Sequence, residues 1–118
     1  MTAVVIPGLR LDVTPNARLH WATRARRVKL QRYVTSLAVA SQRRALPALP
    51  VVCTITRCSP GTMDDDNAVA SAKAVRDAVA DVLGVDDCDP RVTWVVRQRR
   101  APWGVQVEIT PRTEEPTR

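Results

Sequence analysis

Twelve acidic residues occur in this 118-residue chain, and eight of them fall between Asp64 and Asp89. They form two clusters, Asp64-Asp65-Asp66-Asn67 and Asp86-Asp87-Cys88-Asp89, with Asp77 and Asp81 between them and Lys73 and Arg76 as the only bases in the window. Carboxylates grouped in this way suit a hard divalent cation such as Mg2+, which takes oxygen ligands, commonly one or two carboxylates with several waters retained. A cation so held polarises a phosphate oxygen and activates water, and a nearby lysine neutralises the charge that develops. The competing assignment is structural. Acids at a helix N-terminus favour the macrodipole and cap free N–H groups, each worth roughly 0.3–1 kcal/mol. Asp-Asp after a glycine stop is common turn chemistry. Three adjacent aspartates exceed what capping requires and repel one another unless a cation is present, but spacing alone leaves the two readings balanced.

The charge around the clusters has the opposite sign. The window from Asp64 to Asp89 carries a net −6, from two bases and eight acids, and the remainder carries +12, from sixteen bases and four acids. An acid-rich island in a basic protein suggests a metal site set in a surface for a polyanion, with nucleic acid ahead of membrane. No long uncharged apolar run is present to cross a bilayer, and the N-terminus lacks the basic start of a secretory leader. Three cysteines with no C-x-x-C spacing give no zinc signal and fit a reducing cytoplasm; they are expected to be small buried or half-buried residues. Aromatics amount to 3% of the chain, Trp21, Trp94, Trp103 and Tyr33. Repeated base-stacking platforms are therefore not expected. Trp21 and Trp94 are assigned to the core, and Trp103 to the core or a hairpin surface.

The elements that must position the acids follow from periodicity. Residues 3–13 alternate as a first strand, bent at Pro7-Gly8. From about Leu19 to Arg44 the spacing becomes helical, with Leu30, Tyr33, Val34, Leu37 and Ser41 in one stripe and Arg24, Lys29, Arg32 and Arg43 facing outward. Val51–Arg57 is β-branched and reads as a strand. A second helix starts near Asp66 or Asn67 and stops at Gly84. At 100° per residue it buries Ala68, Val75, Val79 and Val82 and presents Asp66, Lys73 and Asp77 on the other side. Two alternating runs, from Val92 and from Trp103, form a hairpin around Arg100-Ala101-Pro102. The order β-α-β-α-β-β makes one α+β domain over residues 1–110, a two-layer α/β sandwich with a mixed sheet and two helices. Residues 111–118 are expected to be a flexible tail.

With these elements in order, the chain resembles the RusA-type Holliday-junction resolvases. The features that carry the resemblance are Asp64-Asp65-Asp66-Asn67 at a helix start, Lys73 further along, Asp77 near its end, Asp86-Asp87 beyond it, and Pro15-Asn16 ahead of the first helix. The resemblance implies a homodimeric, Mg2+-dependent endonuclease, with Mn2+ as a substitute metal, that cuts four-way DNA junctions symmetrically in recombination and repair. It implies Asp64, Asp66 and one later aspartate as metal-binding carboxylates and Lys73 as the catalytic lysine. Asp87 matches the later aspartate when counted from the helix and is favoured, and Asp89 matches when counted back from Val92. Asn67 and Asp77 support these residues from behind. Asn16, Arg18, Arg24, Arg26, Arg27 and Lys29 are the expected DNA contacts, of a kind that reads junction shape through phosphates rather than sequence. Arg97, Arg99 and Arg100 add positive charge near the hairpin. His20 is assigned a structural role. The expected location, from the cysteine usage, is the cytoplasm, of a host or of a phage. A non-catalytic module that binds junctions or other DNA is the alternative.

Overall fold

A computed structural model describes residues 1–15 and 17–113. Four strands, β1 (Thr2–Pro7), β2 (Val51–Ser59), β3 (Val92–Arg100) and β4 (Gly104–Pro111), form one sheet in the order β1-β4-β2-β3. β4 pairs antiparallel with both β1 and β2, whereas β2 and β3 run parallel, so the sheet is mixed. A parallel pair requires a crossover. Here it is built from two helices, α2 (Asp65–Ser71) and α3 (Lys73–Leu83). The long helix α1 (Trp21–Ala40) packs beside α3 on the same side, giving the expected two layers.

The core is the face of the sheet turned toward the helices. Val51, Cys53 and Ile55 of β2 and Val105, Val107 and Ile109 of β4 meet Val75 and Val79 of α3 there, all buried. Period-2 alternation in the strands and the Val75/Val79 row in the helix were sufficient to predict this half of the core. Gly84, at φ +74°, ends α3 in the left-handed conformation a glycine adopts without steric cost.

Several expectations change. The runs from Val92 and Trp103 do not pair as a hairpin: β2 lies between β3 and β4, parallel to the first and antiparallel to the second. The first strand ends at Pro7, because Gly8 turns the chain at φ +79° and donates to Trp103 O at 2.8 Å. Leu9, Leu11 and Val13 still point inward, but from an irregular segment. The first helix stops at Ala40 and gives way to a single tight turn over Arg43–Ala45. The larger correction is its orientation. Leu30, Tyr33 and Leu37 are 55%, 62% and 55% exposed, and the buried side chains are Gln31, Thr35 and Val39. Trp21 is likewise exposed rather than core. The second helix is two helices. The buried Ser71 hydroxyl donates to Ala68 O at 2.7 Å, and the Ala72 N–H turns to Val69 O at 3.2 Å, one residue nearer than a helical bond. A serine that bonds back to the preceding turn in this way bends or breaks a helix. β4 extends to Pro111, and Arg112 N–H donates to Pro50 O at 3.0 Å. The start of the expected tail therefore continues an interior strand of the sheet, and residues 114–118 lie outside the described residues.

Candidate functional site

Asp64 occupies the N-cap position of α2, and its carbonyl accepts from Ala68 N–H at 2.9 Å. Its carboxylate makes no capping hydrogen bond. Asp65 and Asp66 occupy the first turn, and all three side chains are exposed. The side-chain cap of the structural reading is not formed at Asp64, whereas Asp65 and Asp66 stand in the first turn, where the helix dipole favours acids.

The second cluster is organised around Lys73, the first residue of α3. Its Nζ lies 3.4 Å from both Asp77 carboxylate oxygens and 3.9 Å from Asp87 Oδ2. The chain beyond Gly84 thus turns back along α3 far enough to bring Asp87 to the Lys73 ammonium beside Asp77. Two donors hold it there. Arg76 Nη2 and Trp94 Nε1 both donate to Asp87 O at 3.0 Å, and the Arg76 guanidinium lies 5.1 Å from the centre of the Trp94 ring. The Asp87 carboxyl titrates below the usual carboxylate range. The first cause is a side-chain hydrogen bond shared with Asp86, to which the Cys88 thiol and the charges of Lys73 and Arg76 add, while desolvation opposes.

Asp89, the other candidate for the third carboxylate, is committed elsewhere. Arg91 donates to it from Nε at 3.0 Å, from Nη2 at 2.7 Å and from its backbone N–H at 2.9 Å. These bonds bring the Asp89 carboxyl down to about 2. Asp87 faces the lysine, and Asp89 forms a closed pair with its own arginine.

The expected constellation is therefore split into two half-sites. Among the described residues, Asp86, Asp87 and Cys88 are the group of three whose ligand atoms all lie within 4.8 Å of one another, and Asp64 and Asp66 do not join it. In donor type the residues fit a hard divalent cation: exposed carboxylates, no imidazole, and a single exposed thiol at Cys88. Mg2+ retains waters and takes only one or two protein carboxylates, a number that either cluster alone supplies. The break at Ala72 also means that Asp66 and Lys73 no longer share one continuous helix face. Asn67 is half-buried in the first turn of α2, and Asp77 is the i,i+4 ion-pair partner of Lys73, a contact that an ordinary helix lysine also makes.

The basic residues divide by what they touch. Arg24 is not outward: its guanidinium donates to Thr14 O at 3.0 Å and Ala17 O at 2.9 Å, closing the loop ahead of α1. Arg27 pairs with Asp12. Arg18, Arg26 and Lys29 are exposed, with Arg26 at 3.4 Å from Thr23 Oγ1. Arg97, Arg99 and Arg100 are exposed on β3, an edge strand. Asn16 lies outside the described residues. His20 caps α1, its Nδ1 accepting from Ala22 N–H at 3.2 Å, which is a structural role. A cleft of about 340 Å³ bounded by Val13, Pro15, Arg24, Val28, Lys73 and Asp77 lies between the loop ahead of α1 and the lysine.

Sequence reasoning missed Arg57. It lies on the inward parity of β2 and is only 5% exposed. It donates from Nε to Leu11 O at 2.8 Å and from Nη1 to Ser59 Oγ at 2.7 Å and Gly61 O at 3.3 Å. Its guanidinium lies 5.2 Å from the centre of the Trp103 ring, with Arg10 at 5.3 Å from the same ring. Burial lowers its pKa, and the charge of Asp12 opposes that. The signal was present: an arginine in register with Val51, Cys53 and Ile55 must bury its head or break the alternation. It ties the segment after β1 to the turn that leads into Asp64.

No family model matches the chain. It is similar to an uncharacterized protein of Xylella fastidiosa strain Temecula1, with 35% identity over 96 residues, covering 74% of this chain and 61% of that protein. The chain thus spans about three fifths of the relative it matches. No helix among the described residues is long and apolar enough to cross a membrane.

Proposed function

We propose that the chain is a Mg2+-dependent, structure-selective endonuclease that resolves four-way DNA junctions by phosphodiester hydrolysis and works as a homodimer. The observation that carries this reading is the return of the chain after α3. It brings Asp87 to Lys73, clamped by Arg76 and Trp94, although an acid serving only a turn needs no such placement. Uncapped carboxylates at Asp64, and at Asp65 and Asp66 beside it, supply the other half.

In this reading Asp64 and Asp66 hold the metal from the start of α2, and Asp87 completes the site. When bound, the metal supplies Lewis-acid polarisation of the scissile phosphate and a more acidic water. Lys73, set between the Asp77 and Asp87 carboxylates, offsets negative charge on the phosphate. Asp77 orients the lysine, and Asn67 backs the acidic turn. Arg18, Arg26, Lys29 and the β3 arginines hold flanking phosphates, which sets orientation rather than sequence. Arg24, spent on loop carbonyls, and Arg27, paired with Asp12, shape the loop carrying Asn16 rather than contact DNA directly. Mn2+ substitutes for Mg2+, and the site of action is the cytoplasm, in a host or phage repair or recombination pathway.

A synthetic four-way junction incubated with Mg2+ tests this. Symmetric nicks are expected, with duplex of the same sequence left uncut, and Lys73→Met should lose about 100-fold or more in rate. Junction binding with steep salt dependence but no nicking at any Mg2+ or Mn2+ concentration would refute the nuclease and leave the DNA-binding module. Sedimentation of the protein alone checks the dimer.

A further inference from the structure

The two half-sites are tied to one strand. Trp94 and Gln98 point to the same face of β3, four residues apart, opposite Cys53 and Arg57 in the parallel register. Trp94 bonds the Asp87 carbonyl. Gln98 makes two bonds to a single residue of the other segment: Oε1 accepts from Met63 N–H at 3.0 Å, and Nε2 donates to Met63 O at 2.7 Å. A primary amide paired in this way gives Met63 the donor and acceptor that a neighbouring strand residue would give. Met63 immediately precedes Asp64. Among the described residues, no other hydrogen bond holds the backbone between Gly61 and Asp64.

The placement of a polar side chain at this point is informative. Val92, Trp94 and Val96 precede Gln98 on the same face. A leucine at 98 would continue their packing and leave Met63 unheld. At about 3.3 Å per residue, the two anchors stand about 13 Å apart along a single rigid strand.

We propose that Gln98 is a positioning residue for the acidic turn. By fixing Met63 against β3 it sets where Asp64 and Asp66 stand relative to Asp87 and Lys73. Trp94 does the same for Asp87, so β3 sets the spacing of the two halves. This inference rests on the metal-dependent nuclease reading, and a metal site split between two segments needs such a spacer.

The test compares wild type with Gln98→Leu, which keeps the bulk and removes both bonds, and with Gln98→Glu, which keeps the acceptor for Met63 N–H. Amide hydrogen exchange at Met63 should be at least tenfold faster in Gln98→Leu and intermediate in Gln98→Glu. Mg2+ affinity, measured by calorimetry without DNA, should weaken about tenfold in Gln98→Leu while the circular dichroism spectrum is unchanged. In the cleavage assay the Mg2+ concentration for half-maximal rate should rise, and saturating Mg2+ should restore most of the rate. Wild-type exchange at Met63 in Gln98→Leu, or unaltered Mg2+ affinity, overturns the inference. Wild-type protein that binds no Mg2+ refutes the nuclease reading instead, and the exchange experiment still decides whether Gln98 holds the turn.

Discussion

Replacing Arg57 with methionine should destabilise the fold by about 2–4 kcal/mol, and the figure follows from the contacts. The methionine stem keeps the packing of the arginine stem. The Leu11 carbonyl loses the Nε bond at 2.8 Å inside a buried site, which costs about 1–3 kcal/mol for an orphaned acceptor. Loss of the guanidinium over Trp103 removes about 0.5–2 kcal/mol. Loss of the Nη1 bonds is softened, because the Ser59 hydroxyl already donates to Gly61 O. Removing a buried charge offsets part of the loss. With a urea m-value of about 1–3 kcal/mol per molar, the midpoint should fall by about 1–3 M at unchanged m, read by circular dichroism at 222 nm. Because Arg57 also holds the turn ahead of Asp64, Mg2+ affinity should weaken in the same variant. A midpoint shift corresponding to less than about 0.5 kcal/mol would refute the reasoning, because the guanidinium would then be solvated rather than bonded to Leu11 and Ser59.

Other outcomes follow from the same structure. Leu37→Ala should cost less than about 1 kcal/mol because the side chain is mostly exposed, whereas Val39→Ala, at a buried position on the same helix, should cost about 2 kcal/mol or more; chemical denaturation of the two variants decides which stripe faces the core. The Asp89 carboxyl, brought down to about 2 by Arg91, favours the folded state above the ordinary carboxylate pKa, and that contribution is lost as pH falls through about 2. An NMR titration of metal-free protein should show the low midpoint, and Arg91→Gln should raise it. Cys88 is exposed, while Cys53 is buried and its thiol is pushed up to about 12, so a thiol reagent at pH 8 should modify Cys88 in native protein and Cys53 only after unfolding.

What was legible in the sequence was what alternates cleanly. The strands at Val51–Arg57, Val92–Arg97 and Val105–Ile109, the Val75/Val79 row and the stop at Gly84 all have one physical reading. The first helix does not. Leu30/Tyr33/Leu37 and Gln31/Thr35/Val39 both recur every three or four residues, on nearly opposite faces, about 170° apart around the axis. Hydrophobicity selects the first stripe, and packing buries the second, where small or hydrogen-bonding side chains let α1 lie close to its neighbours. Gln31 is accommodated because its amide donates to Arg10 O at 2.7 Å, a partner 21 residues away that no local pattern reveals. The break at Ala72 depended on one hydroxyl choosing the Ala68 carbonyl. At the site, the acids and the lysine were visible as residue types. Which aspartate meets Lys73 was a tertiary question, settled by Arg91 taking Asp89 and by Arg76 and Trp94 fixing Asp87. Arg57 and Gln98, which hold the turn carrying Asp64, each stand where a strand ordinarily places an apolar side chain; that parity marks Arg57 as unusual, but the partners of both lie on distant segments that no local pattern reveals.

The central claim is that the carboxylates beginning α2 serve metal-dependent cleavage of branched DNA. The most direct measurement is the rate of four-way junction cleavage by wild type and Asp66→Asn, side by side, at saturating Mg2+ and matched DNA occupancy. Asp66 is exposed, and its carboxylate has no hydrogen-bond or ion-pair partner among the described residues, so the substitution should leave stability within about 0.5 kcal/mol. Symmetric cutting by wild type and a loss of about 100-fold or more in the variant, with junction binding retained, is the predicted result. Equal rates for the two proteins, or no cutting by either, would contradict it.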